Sequence, residues 1–159
     1  MPLPNFKRQI DALAAFDFGS AQKQSIEHNK EVLLNMQAEQ FAKGVDKDDN
    51  EILLEGRGYA FSTIISKRLF GRGLGAVVMH VTLFQTGALY KQLFISIVGS
   101  KFSFSSRVSY FGELMMRTGD VTGINYENRL EFAEQFVIPF VSKELQATTG
   151  FKIKHGVAV

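Results

Sequence analysis

A chain of 159 residues with 45% hydrophobic and 21% charged residues has the size and balance of one ordinary globular domain built on a single core. It holds 15 Phe but no Cys and no Trp, which excludes disulfides, thiolate metal sites and cysteine nucleophiles and leaves the packing to Phe, Leu, Ile and Val. The formal charge of +2, from 18 basic and 16 acidic residues, is too small to bind nucleic acid through bulk charge, so any such contact must come from a local patch.

No run of about 18 apolar residues occurs, because the longest, 75–84, is interrupted by His80 and Thr82; a membrane-spanning helix is not expected. Lys7 and Arg8 precede apolar residues as in a signal peptide, but Asp11 and Asp17 interrupt what would be its apolar region, and secretion is not expected. Residues 1–19 combine Pro2, Pro4 and Gly19 with three aromatic anchors, Phe6, Phe16 and Phe18. They read as an N-terminal arm, either packed back on its own domain or docked through those rings on a neighbouring subunit.

Residues 20–43 lack Gly and Pro and are rich in helix formers, which predicts one long N-terminal helix with Ser20 or Ser25 as N-cap. Ile26, Leu33, Met36, Gln40 and Phe41 fall near one face, and Lys43-Gly44 supplies C-terminal chemistry. In the polar turn that follows, Asp46, Asp48 and Asn50 alternate as in a calcium loop. The sixth and twelfth positions of such a loop would be Glu51 and Arg57 instead of Gly and Glu, so a solvated turn is expected.

Residues 55–76 interleave Gly56, Gly58, Gly71, Gly73 and Gly75 with Arg57, Lys67, Arg68 and Arg72. The glycine spacing matches neither a Walker A loop nor a dinucleotide fingerprint. The segment reads as a Gly-rich basic loop, either a surface connection or a mobile element that contacts phosphate backbone or an adjoining protein. Residues 76–84 are β-branched and predict a buried strand, with His80 inside it as a structural side chain because no second ligand stands at metal spacing.

Thr86 is placed to cap a short helix at 87–92. Residues 94–98 and 101–108 then predict an antiparallel hairpin turning at Gly99-Ser100, with Phe102 and Phe104 on one face and Ser103 and Ser105 on the other. Residues 109–118 predict one or two helical turns ending at Gly119. Asn125 caps a terminal helix over 126–147, with Leu130, Ala133, Phe136, Val137, Phe140, Val141 and Leu145 along its buried stripe and a kink at Pro139. Residues 149–159 form a basic C-terminal tail with Lys152, Lys154 and His155. The fold class expected is α+β: a single domain over 20–148 with a long N-terminal helix, a small antiparallel sheet containing a hairpin, and a kinked C-terminal helix.

No constellation for catalysis emerges. His28, His80 and His155 are scattered, and His28 with Glu31 has no third ligand nearby. Glu113 and Asp120 could form a carboxylate pair for glycoside cleavage, but nothing near them suggests a sugar groove. Catalytic, metal and cofactor-binding residues are therefore expected to be absent, and the chain is expected not to be an enzyme.

The segment Leu83-Phe84-Gln85-Thr86-Gly87-Ala88-Leu89-Tyr90, the hairpin, and then Gly112-Glu113-Leu114 through Thr118-Gly119-Asp120-Val121-Thr122-Gly123-Ile124-Asn125 resemble small proteins of Bacteroidota phages and prophages related to tail-completion and head–tail connector (neck) proteins. The resemblance covers about residues 30–147. It departs where those proteins carry a Pro- and Tyr-rich stretch, since here Tyr59 is followed by Ala60-Phe61-Ser62-Thr63. It implies a structural virion protein made in the host cytoplasm, forming a homo-oligomeric ring around the DNA channel and touching portal, connector or tail proteins. Arg57, Lys67, Arg68, Arg72, Lys152 and Lys154 are then the candidates for contact with packaged DNA or a partner, and Phe6, Phe16 and Phe18 for inter-subunit anchors. The alternative is a nucleic-acid-binding accessory protein that uses Lys67, Arg68, Arg72, Lys152 and Lys154.

Overall fold

The computed structural model describes residues 3–84, 86–98 and 101–151. Lys152, Lys154, His155 and the Gly99-Ser100 turn lie outside the described residues. The fold is α+β, helices around one antiparallel hairpin, with no helix long and apolar enough to cross a membrane among the described residues.

The segment read as an arm contains a helix, α1 (Leu3–Ala14), that lies against the C-terminal helix. The single helix expected over 20–43 is two. α2 (Phe18–His28) starts about one turn before a Ser20 cap and two turns before a Ser25 cap would allow, because Asp17 is the N-cap and its Oδ1 accepts the Ser20 N–H at 3.0 Å. Ser25 is instead buried, its hydroxyl donating to the Phe136 carbonyl at 3.2 Å. At Asn29 both the backbone N–H and the side-chain Nδ2 donate to the Ser25 carbonyl, at 3.1 and 2.9 Å. An Asn side chain that competes for the helix's own acceptor ends it, and the chain restarts as α3 (Lys30–Lys43). α3 closes as expected at Gly44, in the left-handed region at φ 75°.

The basic Gly-rich segment is not a loop throughout: it contains α4 (Phe61–Phe70) and a 3-10 turn at Gly73–Ala76. The strand expected at 76–84 does not form. Val81 and Thr82 are buried as its apolar character required, but among the described residues no strand pairs with it. Its polar groups pair instead with side chains and a helix end, and Leu83 turns the chain at φ 52°. α5 (Ala88–Lys91) follows Thr86, whose Oγ1 accepts the Ala88 N–H at 3.4 Å. β1 (Leu93–Val98) and β2 (Lys101–Ser106) then pair antiparallel with Ile95 opposite Phe104 and Ile97 opposite Phe102, the alternation read from the sequence.

α6 (Phe111–Thr118) ends at Gly119, and Asn125 caps α7 (Tyr126–Phe132) by accepting the Asn128 N–H at 3.0 Å. α7 runs through a π-helical turn, Ala133–Val137, into α8 (Ile138–Thr149). The disturbance expected at Pro139 is thus taken up one turn earlier, where the wider turn re-registers the chain ahead of a residue with no N–H to donate. That turn also rotates the stripe: Phe132 is buried, whereas Leu130, expected inside, is 46% exposed.

Two apolar clusters form the core, both contacted by α3. Leu33 and Met36 join Ile26, Phe104, Ile124 and Phe132 in one; Phe41 joins Ile52, Val81, Leu89 and Val121 in the other. Between them, buried Gln37 and Gln40 reach the 119–125 loop. Gln40 Oε1 accepts from Asn125 N and Asn128 Nδ2, both at 2.9 Å, and its Nε2 donates to the Asp46 and Gly123 carbonyls. This loop has no ladder of its own, so the glutamine amides supply its backbone partners.

Candidate functional site

α4 is a helix turned inside out. Its sequence, FSTIISKRLF, places Phe61, Ile65 and Leu69 at spacings of four, which at about 100° per residue gathers them within one quarter of the circumference. Lys67 falls on the opposite side. A soluble helix normally buries such a stripe, yet here Phe61 is 77% and Leu69 69% exposed, while Lys67 is only 7% exposed. Phe70, at the end of the helix, is 80% exposed.

The roll of α4 is fixed by that lysine. Lys67 Nζ donates to the Phe84 carbonyl at 2.8 Å and the Gly75 carbonyl at 3.3 Å, and stands 4.6 Å from the centre of the Tyr59 ring. Tyr59 in turn is bound to the core segment: its hydroxyl accepts the Thr82 N–H at 2.9 Å and lies 3.2 Å from Thr82 Oγ1. The Tyr90 hydroxyl donates to the Thr82 carbonyl, and burial, with Tyr59 nearby, pushes the Tyr90 phenol well above its ordinary range and keeps its proton in place. The chain on both sides of α4 is therefore tied to the Phe41–Val81–Leu89 cluster through polar groups, leaving the apolar stripe to solvent.

Between α4 and α6 lies an open cleft of about 650 Å³, with Tyr59, Lys67 and Phe84 on one wall and Tyr110, Leu114 and Arg117 on the other. Arg117 pairs with Glu55, which also lines the cleft, Nε to Oε1 at 2.8 Å, while the Glu55 N–H donates to the Arg117 carbonyl at the same distance. Glu113 lines this cleft, but Asp120 does not; it is held in the loop beyond α6 by Lys47 and Thr122. His28 and Glu31 are separated by the break at Asn29. Asp46 uses its Oδ1 to accept the Asp48 and Asn50 N–H groups at 2.8 and 2.9 Å, as a self-contained turn does. Among the described residues no group of three or more His, Asp or Glu is placed to hold a metal ion.

Of the cations expected to contact DNA or a partner, Lys67 is withdrawn into the interior, which corrects its placement on a surface loop. Arg57, Arg68 and Arg72 are exposed and form no ion pair among the described residues. Of the aromatic anchors, Phe6 and Phe18 are about half exposed, at 53% and 49%; Phe16 is partly buried and meets Phe18 edge-on at 4.8 Å between ring centres. α1 carries a second outward stripe, Phe6, Ile10 and Leu13. The α4 stripe was visible in the sequence as a four-residue period inside the glycine-rich segment. Protein-family models, curated proteins and solved structures gave no match to this chain.

Proposed function

We propose that the chain is a non-enzymatic structural subunit that works by self-assembly, a neck, tail-completion or head–tail connector subunit of a tailed bacteriophage, forming a ring around the DNA channel. The observation that carries the assembly reading is the inverted helix α4, which holds a lysine inside and exposes Phe61, Ile65, Leu69 and Phe70. A contiguous apolar stripe held toward solvent by internal hydrogen bonds is the chemistry of a surface awaiting a protein partner. The place of that assembly in a virion, between portal and tail proteins, is supported by the resemblance of the 83–125 segments. Sedimentation velocity and negative-stain imaging of the purified protein test the reading, with antibody detection in purified virions. Rings present in virions are the expected result; a persistent monomer absent from virions would overturn it.

The exposed and unpaired Arg57, Arg68 and Arg72 favour a second reading, an accessory protein that binds nucleic acid. Three arginines sustain a salt-dependent, sequence-independent affinity. This reading is carried by filter binding of duplex DNA across a salt series, and it fails if neutralising all three leaves the affinity unchanged.

A further inference from the structure

The two outward apolar stripes are anchored to different clusters of the core. α1 rests on α8, which packs against α2 and so belongs with the cluster of Ile26, Leu33 and Phe132. α4 is tied through Lys67 and Tyr59 to the cluster of Phe41, Val81 and Leu89. We infer that the stripes are the two halves of one interface: Phe6, Ile10 and Leu13 of one copy dock on Phe61, Ile65 and Leu69 of the next, head to tail. The inference rests on the assembly reading above and specifies its contact.

Charge disfavours a symmetric pairing of α4 with itself. α4 has no acidic residue, and exposed Arg57 and Arg72 flank it alongside its own Arg68. Pairing α4 with α4 would set three arginines against three, with like charges opposed across the axis. The α1 surface is instead close to neutral, since exposed Asp11 and Asp17 offset exposed Lys7 and Arg8 and none of the four is in an ion pair among the described residues, so docking α4 there opposes no cluster of like charge. Area is also sufficient. Apolar side chains of this size carry about 150–200 Å² each, so at their observed exposures the two stripes, with Phe70 and Phe18, offer on the order of 700 Å² of apolar surface. Apolar area is a little over half of a typical interface, which implies about 1,200 Å² in total, the lower limit of a stable one. A contact between two different patches leaves a dimer with one free patch at each end, so growth continues until the rotation closes a ring.

Mixing two crippled variants tests this. Phe6→Ser with Ile10→Ser removes one stripe, and Phe61→Ser with Leu69→Ser the other; all four side chains are exposed, so circular dichroism should match the wild type. Each variant alone is expected to sediment as a monomer, and an equimolar mixture as a 1:1 dimer that grows no further, because only one productive pairing remains. In this cysteine-free chain, Ile10→Cys mixed with Ile65→Cys should then give a crosslinked heterodimer in excess of either homodimer. If the wild type assembles but either variant alone assembles as well, or the mixture stays monomeric, the head-to-tail contact is wrong while the assembly reading stands. A dominant Ile65→Cys homodimer overturns it in favour of α4 pairing with itself. A monomeric wild type that sediments with phosphatidylglycerol vesicles overturns both.

Discussion

The Lys67 ammonium donates to the Phe84 carbonyl across 2.8 Å, joining the middle of α4 to a residue 17 positions further along the chain. With the second bond, to Gly75, this one side chain closes the 61–84 segment and sets which face of α4 looks outward. Lys67→Met keeps the apolar stem but leaves two carbonyls without their donor. The expected loss is about 2 kcal/mol, or roughly 4–8 °C in Tm for a chain of this size. Hydrogen exchange should show the opening confined to 61–84, and the proposed assembly should weaken although no stripe residue has changed. Unchanged exchange in that segment would sink the account of Lys67 as the latch.

That latch also marks the limit of what the sequence discloses. The Gly44 helix end, the Asn125 cap and the Phe102/Phe104 alternation depend on chemistry within a few residues, and each forms as read. The burial of Lys67 depends on carbonyls eight and 17 positions away, and nothing local announces it. Composition averaged over 55–76 also hid a ten-residue stretch free of glycine, α4 itself, inside a segment that looked like a loop. The break at Asn29 was obscured because the residue is tolerated in helices and acts only by reaching the Ser25 carbonyl. For 76–84 the apolar character foretold burial, but a strand also needs a paired neighbour, and among the described residues β1 and β2 pair only with each other.

Gln40 makes four hydrogen bonds with its amide, three of them to the loop and helix start at 123–128, while Gln37 contributes one, from its Oε1 to the Gly123 N–H at 2.6 Å. Gln40→Met conserves volume and removes all four. It is expected to cost about 2–4 kcal/mol in urea unfolding, with Gln37→Met costing about half as much. Equal losses in the two variants would contradict the assignment of Gln40 as the main tie between α3 and the start of α7.

Gly44 is required twice over, by its φ of 75° and by the His80 ring, whose Cδ2 would lie 2.5 Å from an added Cβ. His80 cannot move freely, since its Nε2 is 2.9 Å from the Ala42 carbonyl. Gly73 has a φ of 54° with nothing within 4 Å of an added Cβ. Gly73→Ala should therefore cost only the conformational term of about 1 kcal/mol, and Gly44→Ala at least about 2 kcal/mol more. Thermal unfolding of the two variants side by side measures the difference, and similar values would show that the His80 contact is soft.

The pair Lys47–Asp120, Nζ to Oδ2 at 2.6 Å, gives the stability a pH dependence whose sign is fixed. The hydrogen bond from Lys47, with a further one from Thr122, holds the Asp120 carboxyl below its ordinary range, and the bond to Asp120 raises Lys47 above its own. A depressed carboxyl contributes stability above its unfolded value, near 3.9, and loses it as pH falls through the lower folded value. A raised lysine contributes below its unfolded value, near 10.4, and loses it as pH rises through the higher folded one. The side chains are 36% and 69% exposed, so the whole effect is about 0.5–1 kcal/mol and is screened by salt. Asp120→Asn should thus be less stable than the wild type by that amount from about pH 5 to 9 at low salt. The two should converge as pH falls below the ordinary carboxylate range, or in molar salt; a difference that persists at pH 2 would mean that Asp120 acts through packing instead of charge.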